Sequence, residues 1–345
     1  MRNSLVEAPT TFGRNSGTHD LTVCVIGRNE AGNLPACAAS LAQLRTAGLD
    51  VETIFVDSAS TDASVEIASR HFNIVLELEG GANLNAGAAR AVGTTASQAR
   101  WILYLDGDMV LREEFVPELL KLIHSFRGPE GLAGYTRNIY PDGSSDLMAL
   151  VGNLPGQPCR AFGGAVALRR DLVMEVGNWA SNLYSNEEAE LYSRLLQRSV
   201  KVIWTDTLMV DHLTPRYSPS HRLRGSLLPW GSHLGKKFYG AGQATRRAWR
   251  HGNLTSFVRL KPLQYLMTTA IVLSVLSLPV LPWLALWLPI GAFVWIAALR
   301  GPKFAVNCIC WTSQTLFGLS KLDPNYRPSI VRTRRKDQDL GASSS

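Results

Sequence analysis

Short apolar runs alternate with helix-like segments through residues 21–212. Four of these runs, at residues 21–26, 51–56, 73–78 and 101–105, predict strands. The segment after each of the first two runs spaces its apolar side chains three or four positions apart, and an Ala-rich segment follows the third, so helices are predicted between the strands. Strands that alternate with helices predict an α/β fold with a mostly parallel central sheet.

A different pattern begins at Leu263, because no charged residue occurs from there to Leu299. A single helix of this length would extend about 55 Å, whereas the apolar core of a bilayer is about 30 Å thick. Prolines at 279, 282 and 289 interrupt the stretch, and basic residues flank both ends. We therefore expect a transmembrane or re-entrant hairpin over residues 262–300, with both ends in the cytoplasm. The alternative is a buried helical core.

The net charge of +7 arises largely between His212 and Lys261, where lysine and arginine occur without any acidic residue. Aromatic residues are interleaved with this charge, and the uncharged stretch follows it. These features favour an anionic membrane surface over nucleic acid, for which we expect no role. Basic amphipathic helices are predicted here.

Composition indicates the expected cellular compartment and the remaining domain boundaries. The first twenty residues are polar and carry no apolar secretory segment, and five cysteines without paired spacing suit a reducing compartment. The predicted organisation is a flexible N-terminus (1–20), a catalytic domain (21–212), a basic interfacial segment (213–261), the hairpin (262–300), and a cytoplasmic C-terminal segment with a disordered tail (301–345).

Polar clusters follow the predicted strands directly. They comprise Arg28, Asn29 and Glu30 after the first strand, Asp57 after the second, and Asp106 and Asp108 after the fourth. Because the carboxyl ends of parallel strands meet at one edge of a sheet, a ligand site is expected there. Gly107 is expected to let the backbone bend so that both flanking acids face this site. Two close carboxylates repel unless a cation lies between them, which suggests a divalent metal holding a diphosphate. A simple acidic turn is the alternative.

Six segments resemble the family 2 glycosyltransferases, which have the GT-A nucleotide-sugar-binding fold. They read VCVIGRNEAGNLPACAASL, FVDSASTDASVEIA, GAARAVGTTA, YLDGDMVL, FGGAVALRRDLVMEVGNW and SNEEAELYSRL. The resemblance covers about residues 21–212. It implies a nucleotide-diphosphate sugar donor (a UDP- or GDP-sugar), a Mn²⁺ or Mg²⁺ ion, and an inverting single displacement.

The resemblance also implies roles for individual residues. Asp57 would hold the base or ribose of the donor, and Arg90 would lie near the donor. Asp108 would bind the metal, Asp106 would bind the ribose or the metal, and His212 would be a third metal ligand. Ser58-Ala59 departs from the family, which usually has Asp-Gly at this point.

The acceptor side is expected at Gly163-Gly164 and Glu187-Glu188. The resemblance makes Glu188 the candidate base that deprotonates the acceptor hydroxyl, with Glu187 as the alternative. The two glycines would let the acceptor approach. Both pairs also have structural interpretations, because two glycines can form a tight bend and acids are favoured at the start of a helix.

The sequence therefore predicts an inverting, metal-dependent glycosyltransferase attached to the inner (cytoplasmic) membrane with its catalytic domain facing the cytoplasm. The hydrophobic hairpin favours a lipid-linked acceptor over a soluble glycan. A sugar nucleotidyltransferase with a similar sheet and a non-catalytic membrane-bound binding protein are the alternatives.

Overall fold

A central sheet covered by helices on both faces forms the main body of the protein. The computed structural model describes residues 19–81, 84–125, 128–148, 152–216, 239–320 and 326–336. The predicted α/β fold is confirmed.

The first four strands form a parallel half-sheet in the order β3-β2-β1-β4. β1 (Leu21–Gly27) lies in the middle, and every residue of β2 (Val51–Asp57) is buried. A parallel strand with helices on both faces buries all its side chains, which explains the continuous apolar runs. The other two strands are β3 (Ile74–Leu78) and β4 (Trp101–Asp106).

The second half of the sheet is mixed, so the prediction of a mostly parallel sheet was wrong. β8 joins β4 in antiparallel orientation, and the order continues through β6 and β9 to β5. Of the pairs in this half, only β6 with β9 is parallel among the described residues. These strands are β5 (Met109–Leu111), β6 (Gly131–Ile139), β7 (Ser145–Leu147), β8 (Val166–Arg169) and β9 (Val202–Leu213).

Two apolar cores lie on opposite faces of the sheet. The first packs Phe55 and Leu103 against α1, α2, α3 and α5, and the second packs Ile54 and Ile102 against α4, α6 and α7. The helices are α1 (Leu34–Ser40), α2 (Ala42–Thr46), α3 (Ser64–His71), α4 (Ala86–Ala96), α5 (Val116–His124), α6 (Arg170–Glu175) and α7 (Glu187–Gln197).

The C-terminal region is helical and returns to the sheet. Two helices, α8 (Gly240–Arg250) and α9 (Leu254–Leu260), occupy the end of the predicted basic segment, of which residues 217–238 lie outside the described part. Three apolar helices follow, α10 (Pro262–Ser277), α11 (Pro282–Arg300) and α12 (Pro302–Gly318), and pack around Met267, Ile296 and Cys308.

Two elements in the predicted C-terminal segment were not expected from the sequence. Residues 302–318 form α12, which packs beside the two predicted hairpin helices. β10 (Ile330–Arg335) pairs antiparallel with β3 at the edge of the sheet, and Arg334 donates a hydrogen bond to Glu77 (2.9 Å). This strand is almost wholly exposed and rich in arginine, so no apolar pattern marks it. Residues 337–345 of the predicted tail and 1–18 of the N-terminus lie outside the described part.

Within the described residues, no single helix is both long enough and apolar enough to cross a bilayer. One bent pair, α9 with α10, reaches the required length and composition, with an angle of 104° between its two helices. Many large apolar side chains of α10–α12 are exposed, including Leu276, Val294 and Phe317. This region therefore presents an apolar surface of unusual extent.

Candidate active site

Hydrogen bonds join the loops that follow β1 and β2. The Asn29 amide N–H donates to Ser60 Oγ (2.8 Å), and the Thr61 N–H donates to Asn29 Oδ1 (2.8 Å). The carboxylate of Asp57 is buried and accepts hydrogen bonds from the N–H (2.9 Å) and the hydroxyl of Ser60. Asn29 and Ala59 both adopt left-handed backbone conformations, with φ of 59° and 58°. The loops thus hold Asp57 in a fixed position, while Arg28 lies exposed at their edge.

Glu30 lies against the Asp106-Gly107-Asp108 turn. A Cβ atom on Gly107 would lie 3.0 Å from Cγ of Glu30, and Gly107 does not adopt a left-handed conformation. Glycine at position 107 therefore permits the close approach of Glu30 to the turn. Burial raises the pKa of Glu30, a hydrogen bond from Asn33 opposes this rise, and the charges of Asp108 and Asp106 add to it.

Antiparallel pairing of β5 with β9 brings Asp108 next to His212. The Leu213 N–H donates to the Asp108 carbonyl (2.8 Å), and His212 Nε2 lies 3.2 Å from Asp108 Oδ2. The other carboxylate oxygen, Asp108 Oδ1, is buried and has no hydrogen-bond partner among the described residues. A buried carboxylate oxygen without a partner is costly, so this atom is suited to a cation.

Asn138 determines which nitrogen of His212 carries a hydrogen. Asp146 can only accept, so Asn138 directs Nδ2 to Asp146 Oδ1 (2.8 Å) and Oδ1 to His212 Nδ1 (3.0 Å). His212 Nδ1 must then be the donor, and the Nε2 lone pair of the neutral ring faces the Asp108 carboxylate. Two acceptors at this distance require a shared cation, either a proton on Nε2 or a metal ion. Burial lowers the pKa of His212, but the hydrogen bond and charge of Asp108 outweigh burial and raise it overall.

Arg90 connects the turn after β4 to the start of α7. Its guanidinium is buried and binds Asp106 Oδ1 (2.8 Å), Glu187 Oε1 (3.1 Å) and Glu188 Oε1 (3.4 Å). The indole ring of Trp179 lies 5.0 Å from the guanidinium. One cation therefore fixes three carboxylates for which the sequence suggested separate roles. Direct contact of Arg90 with a donor stays a prediction.

Burial changes the pKa values of two of these carboxylates in the same direction. It raises the pKa of Asp106 despite the adjacent Arg90, and it raises the pKa of Glu187, to which the negative charge of Glu188 adds. The Glu188 side chain is 25% exposed and that of Glu187 only 8% exposed, so an acceptor can reach Glu188 more readily.

Residues 22–142, which include the loops after β1 and β2 and the Asp106-Gly107-Asp108 turn, match the model of the glycosyl transferase family 2. This part of the chain is therefore similar to the family 2 glycosyltransferases, and we call residues 21–212 the glycosyltransferase domain. An uncharacterized glycosyltransferase of Haemophilus influenzae is 25% identical over 193 residues, which are 51% of this chain and 62% of that protein. The match thus spans less than two thirds of the relative's length.

Two solved structures share the fold of the glycosyltransferase domain. The mannosyltransferase PcManGT of Pyrobaculum calidifontis, in complex with GDP-Man and Mn²⁺, has a TM-score of 0.54 and 13% identity over 88% of both chains. TarS 1–349 of S. aureus, in complex with UDP-GlcNAc, has a TM-score of 0.52 and 14% identity over 86% of this chain and 90% of that one. The GT-A-like fold predicted from the sequence is confirmed.

The two glycines on the predicted acceptor side of the glycosyltransferase domain have different surroundings. A Cβ atom on Gly164 would lie 2.7 Å from Asp106 Oδ2 and 2.8 Å from Arg90 Nη2, whereas no described atom lies within 4 Å of one on Gly163. Gly164 therefore permits the Asp106–Arg90 ion pair to form, and Gly163 borders open space. No described atom blocks an acceptor that approaches Gly163, and the acceptor-side role of Gly163 stays a prediction.

The residues predicted to bind metal in the glycosyltransferase domain fall into two groups. Asp108 and His212 fit a metal ion, because one oxygen of Asp108 lacks a partner and Nε2 requires a shared cation. Asp106 forms an ion pair with Arg90, and its binding of the metal or the ribose stays a prediction. Among the described residues, no group of three or more histidine, cysteine, aspartate or glutamate side chains is arranged to hold a metal. Oxygen ligands from a bound molecule would have to complete the coordination.

Sequence reasoning missed Asn138 and Trp179, which orient His212 and support Arg90. Neither residue belongs to a cluster of acids or histidines. The pairing of β6 with β9, which places Asn138 opposite His212, is the feature that identifies Asn138.

Proposed function

We propose that the protein is an inverting glycosyltransferase that moves a sugar from a nucleotide-diphosphate donor to a lipid-linked acceptor. One observation carries this proposal: the unpartnered, buried Asp108 Oδ1 beside His212 lies at the same edge of the sheet as Asp57 and Asp106, and Arg90 links Asp106 to Glu188. A GDP-sugar and a UDP-sugar are bound by the two similar structures, and we extend a nucleotide sugar of this kind to this chain.

In the proposed reaction, the acceptor hydroxyl oxygen attacks the anomeric carbon while the bond from that carbon to the donor diphosphate breaks. Glu188 takes the hydroxyl proton, and the diphosphate leaves with the bonding electron pair. Asp57 would hold the nucleoside, and Arg90 keeps Asp106 and Glu188 in place. A Mn²⁺ or Mg²⁺ ion held by Asp108 and His212 would neutralise charge on the leaving diphosphate.

Glu188 is preferred to Glu187 as the base because its side chain is the more exposed. Glu187 is the alternative, since its raised pKa would suit proton transfer near neutral pH. Comparison of Glu188→Gln with Glu187→Gln separates the two, because the true base loses turnover in the chemical step.

The apolar surface of α10–α12 supports attachment to a membrane and hence a lipid-linked acceptor. The basic residues of the preceding segment would face anionic lipid at the cytoplasmic side. The catalytic domain would then lie in the cytoplasm, where nucleotide sugars are supplied.

The test is turnover of a panel of nucleotide sugars with and without Mn²⁺. Asp108→Ala and Glu188→Gln are each expected to lose at least about 100-fold in metal-dependent turnover, while the folded state is retained. Glu175→Gln, an exposed acid on α6, is the matched control and should keep full activity. Undiminished turnover in both site variants would exclude this mechanism, and formation of a nucleotide sugar from a sugar phosphate would indicate a nucleotidyltransferase.

A further inference from the structure

A cavity lies beside α4. It has a volume of about 710 Å³ and is bounded by α4, residues 177–182, the end of α8 and residues 327–330. Its size lies within the range of small-molecule sites, about 300–1,000 Å³. We call it the α4–α8 cavity.

The α4–α8 cavity is separate from the candidate active site. Trp179 lines the cavity, and its ring also contacts the Arg90 guanidinium. Arg90 in turn binds Asp106 and the acids of α7. The indole ring therefore lies between the two sites, and a ligand in the cavity would not touch the predicted donor residues.

The cavity carries an excess of positive charge. Its described lining includes Arg247, Arg250 and His251 and contains no carboxylate. Arg247 contacts the buried Glu190 (3.3 Å), but both oxygens of that carboxylate already accept hydrogen bonds from Arg194 (2.9 and 2.7 Å). Two guanidinium groups thus share the negative charge of one carboxylate, and Arg250 adds a further positive charge to the lining.

The ionisation of the lining side chains reflects the same positive potential. Burial lowers the pKa of Arg247, and Arg194 and Arg327 lower it further against the attraction of Glu190. Burial and the charge of Arg247 likewise lower the pKa of His251. A bound anion would relieve this repulsion.

The apolar part of the lining comes from Ala91, Ala96, Trp179 and Ile330, and polar groups come from Thr95, Asn178, Ser181 and Asn182. We propose that the α4–α8 cavity binds a ligand that combines a phosphate group with an apolar part. Guanidinium groups favour phosphate because they can donate paired hydrogen bonds to its oxygens. This inference does not depend on the transfer reaction.

Calorimetric titration of the full chain in neutral detergent tests the proposal with inorganic phosphate, dihexanoyl phosphatidic acid and dihexanoyl phosphatidylcholine. Arg250→Gln should weaken phosphatidic acid binding about tenfold, because one charge-assisted contact is lost. Arg70→Gln, an exposed arginine on α3, removes the same charge elsewhere and should change nothing. Arg247→Gln should weaken binding more than Arg250→Gln does. If the variant at the half-buried Arg247 fails to fold, the Arg250→Gln variant still tests the proposal.

The three probes distinguish the source of the phosphate. Phosphatidic acid bound much more tightly than inorganic phosphate indicates a lipid headgroup, and equal affinities indicate a free phosphate group. The proposal is overturned if neither phosphate probe binds, if phosphatidylcholine binds as well as phosphatidic acid, or if Arg250→Gln leaves affinity unchanged. Binding confined to the predicted donor site would give the last result, so failure here leaves the proposed glycosyl transfer unaffected.

Discussion

At the scale of single residues, adjacent glycines in the candidate site are expected to respond very differently to an added methyl group. Gly164→Ala should displace Asp106 or Arg90, since its Cβ would lie less than 3 Å from both side chains. We expect a loss of about 1–3 kcal/mol in the free energy of unfolding, together with reduced turnover.

Gly163→Ala is the matched control for this change. Its Cβ would enter open space among the described residues, so denaturant unfolding should show little change. Equal destabilisation by the two substitutions would show that the Asp106–Arg90 pair is not what requires glycine at position 164.

Asn138 should influence metal affinity although it would not touch the metal. Asn138→Leu removes the acceptor that fixes the Nδ1–H tautomer of His212, so Mn²⁺ affinity should fall about 10- to 100-fold. Electron paramagnetic resonance titration of Mn²⁺ measures this without any substrate. Ser145→Ala, an exposed change on the neighbouring β7, should leave the affinity unchanged, and an unaltered affinity in Asn138→Leu would refute the orienting role.

The sequence located the acids of the site but not how they are held. Asp57 and Asp106 could be found because each is the last residue of a buried apolar strand, and Asp108 comes two residues after Asp106. The partners of these acids depend on long-range pairing: Arg90 precedes Glu187 by 97 positions, and Asn138 precedes His212 by 74. Neither separation leaves a local pattern.

At the scale of elements, β1 to β4 were predictable because strands buried on both faces have a continuous apolar sequence. β10 was not, since its arginine-rich strand lies at an exposed edge and its pairing depends on β3. The residues of α12 were assigned to the cytoplasmic C-terminal segment because Arg300 and Lys303 suggested the end of the apolar region. Local charge did not reveal that the apolar packing continues beyond these residues.

The contact of α8 with α12 requires glycine on both helices. A Cβ atom on Gly242 would lie 2.2 Å from the carbonyl oxygen of Thr315, and one on Gly318 would lie 2.1 Å from that of Tyr239. Gly242→Ala should therefore lower the free energy of unfolding by about 1–3 kcal/mol, measured by denaturant titration in detergent. Gly291→Ala on α11, where no described atom lies within 4 Å, should be neutral or gain up to about 1 kcal/mol. Equal effects would show that α8 and α12 are not closely packed.

At the scale of the whole molecule, the exposed apolar side chains are concentrated at one end of the chain. Most of them lie on α10–α12. In sequence, α8 precedes these helices and packs against α12, and β10 follows them and pairs with β3 of the glycosyltransferase domain. An apolar surface attached in this way would hold the catalytic domain close to a bilayer. Under the proposed function, this position would give Glu188 access to an acceptor that stays in the membrane.

Charge placed on this surface should release the protein from vesicles. Leu276→Glu combined with Val294→Glu would expose two carboxylates to lipid, at a cost of about 2.5 kcal/mol or more for each at the bilayer centre. We expect the wild type to float with anionic vesicles after a wash in about 1 M salt, which screens surface charge, and the double variant to remain in solution. Val331→Glu, at a similarly exposed position on β10, which pairs with β3 at the edge of the sheet, should float like the wild type. Release of the wild type by salt alone would show that charge, and not apolar contact, attaches the protein to the membrane.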